Sequence, residues 1–159
     1  MHISDADAVI DALERAPGVV LPLVREVPPD ILKRRPGPRR WSAHEHACHL
    51  AVVHQLFFDR LEQVLTSPSP VIAPYDPSLA EADDHLLTMD LDDALASFVA
   101  DRRRLVTRLR ALTPREWSRT AEHGEYSRYS VFIMFRHVAL HDFLHAYRIE
   151  ELLLKKSWA

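Results

Sequence analysis

The chain has 159 residues, 47% of them apolar and 27% charged, with a formal charge of −3; this length and balance suit one globular domain over residues 1–159 and exclude a disordered tail. The negative balance disfavours a general nucleic-acid binder, which needs a basic face to displace phosphate counterions. No apolar run approaches the roughly 20 residues that span a bilayer, and the N-terminus has no basic start before an apolar stretch. The single cysteine, Cys48, cannot close an internal disulfide, so a reducing, cytoplasmic setting is expected.

Ser4 is placed to cap a first helix whose apolar residues Val9, Ile10 and Leu13 recur at helical spacing. Pro17-Gly18 interrupts the pattern, and Val20, Leu21 and Val24 resume it up to Pro28-Pro29, which predicts one kinked helix or two in tandem. The stretch Lys33-Arg34-Arg35-Pro36-Gly37-Pro38-Arg39-Arg40 is a loop, because its prolines and glycine cannot continue a helix. Its charges read as a solvated run, with anion binding as the alternative.

Ser42 caps a second helix, with Glu45 three residues on as in a capping box, running to about Leu65 before Thr66-Ser67-Pro68-Ser69-Pro70. The proline-rich connection over 66–78 is long. Antiparallel neighbours need only short loops, so the next helix is expected to start again from the same end. A third helical region is predicted from near Ser78 to about Leu112, broken near Met89-Asp90, with Leu91, Leu95, Phe98, Leu105 and Leu109 on its apolar face. Residues 113–129 read as irregular, with Pro114 and Gly124 as breakers, and a last helix runs from about Ser130 to Leu154. Three glycines are too few for a strand-rich fold, so the expectation is an all-α four-helix bundle with a long crossover between helices 2 and 3.

Ten histidines are the unusual count. His137, His141 and His145 follow one another at four-residue steps on the last helix; each step turns only about 40°, so adjacent members share a face and can chelate one metal. The stripe of Val131, Met134, Val138, Ile149 and Leu152 lies on the His145 side of His141, which selects His141 and His145 and leaves His137 in reserve. On the second helix Val52, Val53, Leu56, Phe57 and Val64 mark the inward face. His49 sits among them, His46 on their flank, and His44 and His54 about 140° away, towards solvent. His49 is therefore the preferred third ligand, with His46 in reserve; His2, His85 and His123 read as surface or loop residues.

Three neutral imidazoles converging inside a bundle suit Zn²⁺, Ni²⁺ or Fe²⁺ with a position left for water or substrate. The alternative is a set of core histidines satisfied by hydrogen bonds. Each unpaired buried imidazole costs on the order of 1–3 kcal/mol, and one metal satisfies three together.

Trp41-Ser42, followed six residues later by His49-Leu50, resembles the WS-x6-HL signature of the DinB/YfiT-like superfamily. Phe98-x3-Arg102, Trp117-Ser118-Arg119, Gly124 and His141-Asp142-x2-His145-x3-Ile149 follow the same family order, so the likeness spans roughly residues 41–149. The resemblance implies a four-helix bundle of up-down-down-up topology, in agreement with the long 66–78 connection. It also implies a divalent metal held by His49, His141 and His145. Some members are thiol-dependent transferases using bacillithiol, mycothiol or glutathione, and related ones isomerise maleylpyruvate. The transferases often carry a WH-x2-HH-x2-H segment, where this chain has Arg136-His137 and then His141-Asp142, so the resemblance leaves the thiol cosubstrate open.

Several neighbours have two readings. Glu45 is either the capping-box acid or an acceptor and proton carrier beside His49. Arg102 could meet an anionic thiol or substrate carboxylate, yet Arg102-Arg103-Arg104 reads first as a solvated face. Asp142 is expected at the surface or as an interhelical partner. Tyr126, Tyr129 and His123 either line a mouth or pack in their loop, and Cys48 is a small buried hydrophobe.

The leading expectation is a metal-dependent enzyme in which an activated water or thiol attacks a small-molecule electrophile, as a thiol S-transferase or a hydrolase. A non-catalytic metal-containing binding or stress-response protein, acting as a homodimer, is the alternative. Neither a G-x-S-x-G elbow nor a Walker glycine loop is present.

Overall fold

Local capping chemistry sets the ends of the long helices. In the computed structural model, which describes residues 3–74 and 84–158, helix α1 covers Ile3–Glu26 and passes unbroken through Pro17, Gly18 and Pro22. The buried stripe of Leu13, Ala16, Val20 and Val24 runs across both prolines and keeps the segment one helix despite the lost amide donors. The first four side chains, Ser4 and His2 among them, and the expected helix start near Ser78 lie outside the described residues.

After the short helix α2 (Pro29–Leu32), helix α3 spans Ala43–Thr66. The Ser42 hydroxyl accepts from the Glu45 amide at 3.3 Å and the Glu45 carboxylate accepts from the Ser42 amide at 2.8 Å, the expected capping box. The break at Met89-Asp90 divides α4 (His85–Thr88) from α5 (Leu91–Arg110), and the Asp90 carboxylate caps α5 by accepting from the Asp93 amide at 2.9 Å. Helix α7 covers Val131–Leu153 behind a Ser130 cap.

Residues 113–129 are not wholly irregular. Thr113 and Glu116 form a second capping box around α6 (Pro114–Trp117), with Pro114 in the first turn, where its missing donor is harmless. Strand β1 (Val71–Ile72) pairs in parallel with β2 (Glu122–His123), a two-residue ribbon that tethers the long connection to the loop before α7.

Two apolar clusters give the helix directions. One joins Ile10 and Leu13 of α1, Leu61 and Val64 of α3, Leu105 and Leu109 of α5, and Val131 and Met134 of α7. The other joins Val20 and Val24, Ala47 and Leu50, Leu95 and Phe98, and Ile149 and Leu152. The beginnings of α1 and α7 thus lie at one end with the ends of α3 and α5, which is the up-down-down-up arrangement. Helices α1 and α3 each pack on both α5 and α7. Because α3 and α7 are antiparallel, the first turns of α3 face the second half of α7, and the histidines stand from the middle of α7 into that half.

Candidate metal centre

His49 projects from the second turn of α3, and His141 and His145 from successive turns of α7. Their ring nitrogens converge within 4.8 Å of one another. The His141 Nε2 atom stands 3.2 Å from His49 Nε2 and 3.0 Å from His145 Nε2. Ligand nitrogens at 2.0–2.1 Å from a tetrahedral zinc lie about 3.3 Å apart, so these spacings match a cation-sized gap. A single N–H on His141 can satisfy only one of its two Nε2 neighbours, whereas a cation accepts all three lone pairs.

Burial, reinforced by the neighbouring imidazoles, holds these rings neutral, as metal ligation requires. It lowers His49 to about 3 and His141 to about 4, and pushes His145 far below the ordinary histidine range. His46 supplies the next layer. Its Nδ1 lies 2.8 Å from His145 Nδ1, the edge opposite the convergent Nε2 atom. With a cation on its Nε2 atom, His145 would carry its proton on Nδ1 and donate it to His46, which would hold the tautomer and the ring plane. Trp41 covers the group, its ring centroid 4.7 Å from His49 and 5.9 Å from His145.

Three cavities touch the cluster, one of them along His137, Leu140, His141 and Leu144. A larger one of about 630 Å³ opens on His46, His145 and Trp41. A smaller one of about 230 Å³ touches His49 and His141 and is lined by His123, Tyr126, Tyr129 and His137. The loop residues ahead of α7 therefore line a mouth, and His137 stands at that mouth, outside the convergent trio.

Residues 12–149 match the sequence profile of the DinB superfamily. The chain belongs to the DinB superfamily. A relative from Oceanobacillus iheyensis, named "Putative metal-dependent hydrolase OB0782", is 31% identical over 119 residues, which are 74% of this chain and 68% of that protein. The solved structure of YfiT from Bacillus subtilis, described as "a probable metal-dependent hydrolase with an unusual four-helix bundle topology", superposes with a TM-score of 0.88. That match covers 100% of this chain and 91% of YfiT at 23% identity, a likeness of fold.

Within this DinB bundle several side chains depart from expectation. His44 and His54, predicted towards solvent, are 1% and 2% exposed. Helix α3 is enclosed on a second side, where α5 packs along it and α4 covers its first turns. His44 Nε2 lies 3.5 Å from Cys48 Sγ, and the His54 ring stands 5.8 Å from Phe98. Cys48 is the buried hydrophobe expected, its thiol pushed up by burial to about 11.

Arg102 is neither a solvated side chain nor a lining residue of the cavities beside the trio. It is 2% exposed and forms an ion pair with Asp142 at 2.6 Å, the interhelical partner foreseen for that aspartate. Arg102 falls on the buried stripe of α5, four residues after Phe98 and three before Leu105, whereas Arg103 and Arg104 are turned away from it to solvent. Glu45 is engaged by Ser42 and by Arg35, whose Nε donates at 3.0 Å. Burial raises its pKa, but the bonds from Arg35 and Ser42 outweigh burial and hold it below the usual carboxylate range. Its structural role is thus the cap and a loop anchor.

His54 sets a pH dependence. Burial, then Arg102 and Arg104, lower its pKa to about 3 from an ordinary 6.5. The unfolded chain takes up this proton near pH 6.5 and the folded chain only near 3, so stability is complete above about 6.5 and falls as pH drops towards 3. Thermal unfolding followed across that window is expected to show a shallower slope for His54→Leu, by about one proton. An unchanged slope would show that His54 is not the group charging on unfolding.

Proposed function

We propose that this protein is a metal-dependent enzyme acting on a small molecule, with His49, His141 and His145 holding one divalent cation. The convergence of three Nε2 atoms from two antiparallel helices, beside an open cavity, carries the reading. A three-imidazole donor set suits Zn²⁺, Ni²⁺ or Fe²⁺. When bound, such a cation supplies Lewis acidity and lowers the pKa of a coordinated water or thiol towards neutrality.

The chain's own residues do the positioning. His46 holds the His145 ring by its Nδ1 contact, and Trp41 shields the trio from bulk water. The cavity beside them admits the substrate. Hydrolysis is the reaction class favoured, in keeping with the names of the two relatives; transfer of a low-molecular-weight thiol is the second reading, because some members of the superfamily that the motif order resembles are thiol transferases, although their WH-x2-HH-x2-H segment is not found here. No helix among the described residues is long and apolar enough to cross a membrane. A cytoplasmic setting is supported by the single buried cysteine.

The test is turnover. Metal-loaded protein is expected to hydrolyse members of an ester and amide panel, or to consume one thiol among several offered with a generic electrophile, and to lose that activity on chelation. Silence across both panels with metal bound would favour a non-catalytic metal-binding role.

A further inference from the structure

The basic loop between α2 and α3 divides its charges between two tasks. Lys33 donates to the Leu87 carbonyl at 2.8 Å, Arg34 to the Trp158 carbonyl at 3.2 Å, and Arg35 bridges Glu45 and Asp84. These three side chains pin the loop across the end of the bundle. Arg39 and Arg40 have no ion pair or side-chain hydrogen bond among the described residues, and both line the larger cavity beside His145. Arg39 also holds φ at 55°, a left-handed backbone that an L side chain adopts only at a cost. An arginine thus stands where glycine would sit without strain.

The rest of that cavity continues the pattern. Arg148 and Lys155 add two cations; Glu151 is the lining carboxylate, and it is paired with Arg148 at 2.6 Å. Three positive charges of the lining therefore have no carboxylate partner among the described residues, those of Arg39, Arg40 and Lys155, and the two arginines are exposed. Trp41, Leu144 and Leu152 supply the apolar part of the same lining. A net charge of −3 over the chain makes this local excess a property of the cavity and not of the composition.

We propose that this cavity binds a small organic anion, a carboxylate or phosphate monoester, with its anionic end on Arg39 and Arg40 and its apolar body against Trp41 and Leu144. The inference deepens the enzyme reading and rests on it for the ligand's role as substrate. The arginines, not the buried Arg102, select the substrate class: guanidinium groups present paired donors that match carboxylate and phosphate oxygens. His145 belongs to the same lining, so a ligand held there lies beside the histidine cluster.

Calorimetric titration of zinc-loaded protein with phenylacetate, phenyl phosphate and neutral phenylacetamide tests this directly. At least one anion is expected to bind about tenfold or more tightly than the amide, with the preference shrinking as salt rises. The two anions separate carboxylate from phosphate selectivity. The Arg39→Ala/Arg40→Ala double variant should bind all three within about twofold, while Arg39→Lys/Arg40→Lys keeps part of the preference. Equal binding of the three ligands by the parent protein, or a preference that survives the alanine pair, would overturn the proposal. Metal content measured alongside separates the two readings. Zinc uptake without anion preference defeats only the anion site, and anion preference without zinc uptake defeats only the metal centre.

Discussion

Replacing His141 by alanine is expected to strip the protein of its metal. His141 Nε2 is the central atom of the trio, 3.0 Å and 3.2 Å from its two partners, so its loss leaves a separated pair on different helices. Metal affinity should fall on the order of 10³-fold, beyond the 10–100-fold typical of residues that only orient a ligand. His46→Ala supplies that smaller loss, because it removes the acceptor opposite His145 Nδ1 and no convergent nitrogen. His137→Ala, outside the trio, should leave affinity unchanged. Competition against a chromogenic chelator measures all three, and equal affinities for His141→Ala and the parent would contradict the assignment.

The second large effect falls on stability. Asp142→Ala leaves the Arg102 guanidinium buried without its counter-charge. Arginine keeps its proton in any protein environment, so the charge cannot be relieved by titration. Burial pushes the Asp142 carboxyl up and the Arg102 guanidinium opposes that rise, the balance of a desolvated ion pair whose charges are costly to leave unpartnered. Breaking such a pair costs about 3–5 kcal/mol, which for a chain of this size lowers Tm by roughly 10 °C or more. Arg102→Met/Asp142→Leu removes both charges and should recover most or all of the loss. A single variant within 1 °C of the parent would show that the pair carries no such energy.

The parts legible in the sequence are those with local causes. Ser42 with Glu45, Asp90 and Ser130 cap helices through contacts three residues away, so the helix starts follow from the chain itself. The pair His141 and His145 follows from a four-residue step on an apolar stripe, and the crossover direction from the length of the 66–78 connection. What failed needed contacts from distant segments. A helical wheel finds one buried face, whereas α3 is covered by α7 on one side and by α4 and α5 on another, which buries His44 and His54.

Arg102 illustrates the same limit in its partner alone. It stands four residues after Phe98 and three before Leu105, on the apolar stripe, so its spacing marks it as the inward member of Arg102-Arg103-Arg104, although not its partner 40 positions later. Likewise Arg39 and Arg40 differ from Lys33, Arg34 and Arg35 only through the distant partners Leu87, Trp158 and Asp84. Helix α6 is a different case, since Thr113 and Glu116 stand at capping-box spacing and could have announced it.

The central claim is that His49, His141 and His145 form a metal centre. A crystal structure of protein purified without a histidine tag and loaded with zinc, with anomalous scattering at the metal edge, tests it most directly. One peak per chain is predicted, about 2.0–2.1 Å from the Nε2 atoms of all three histidines. A peak elsewhere, or none with the three rings hydrogen-bonded to one another, would contradict it.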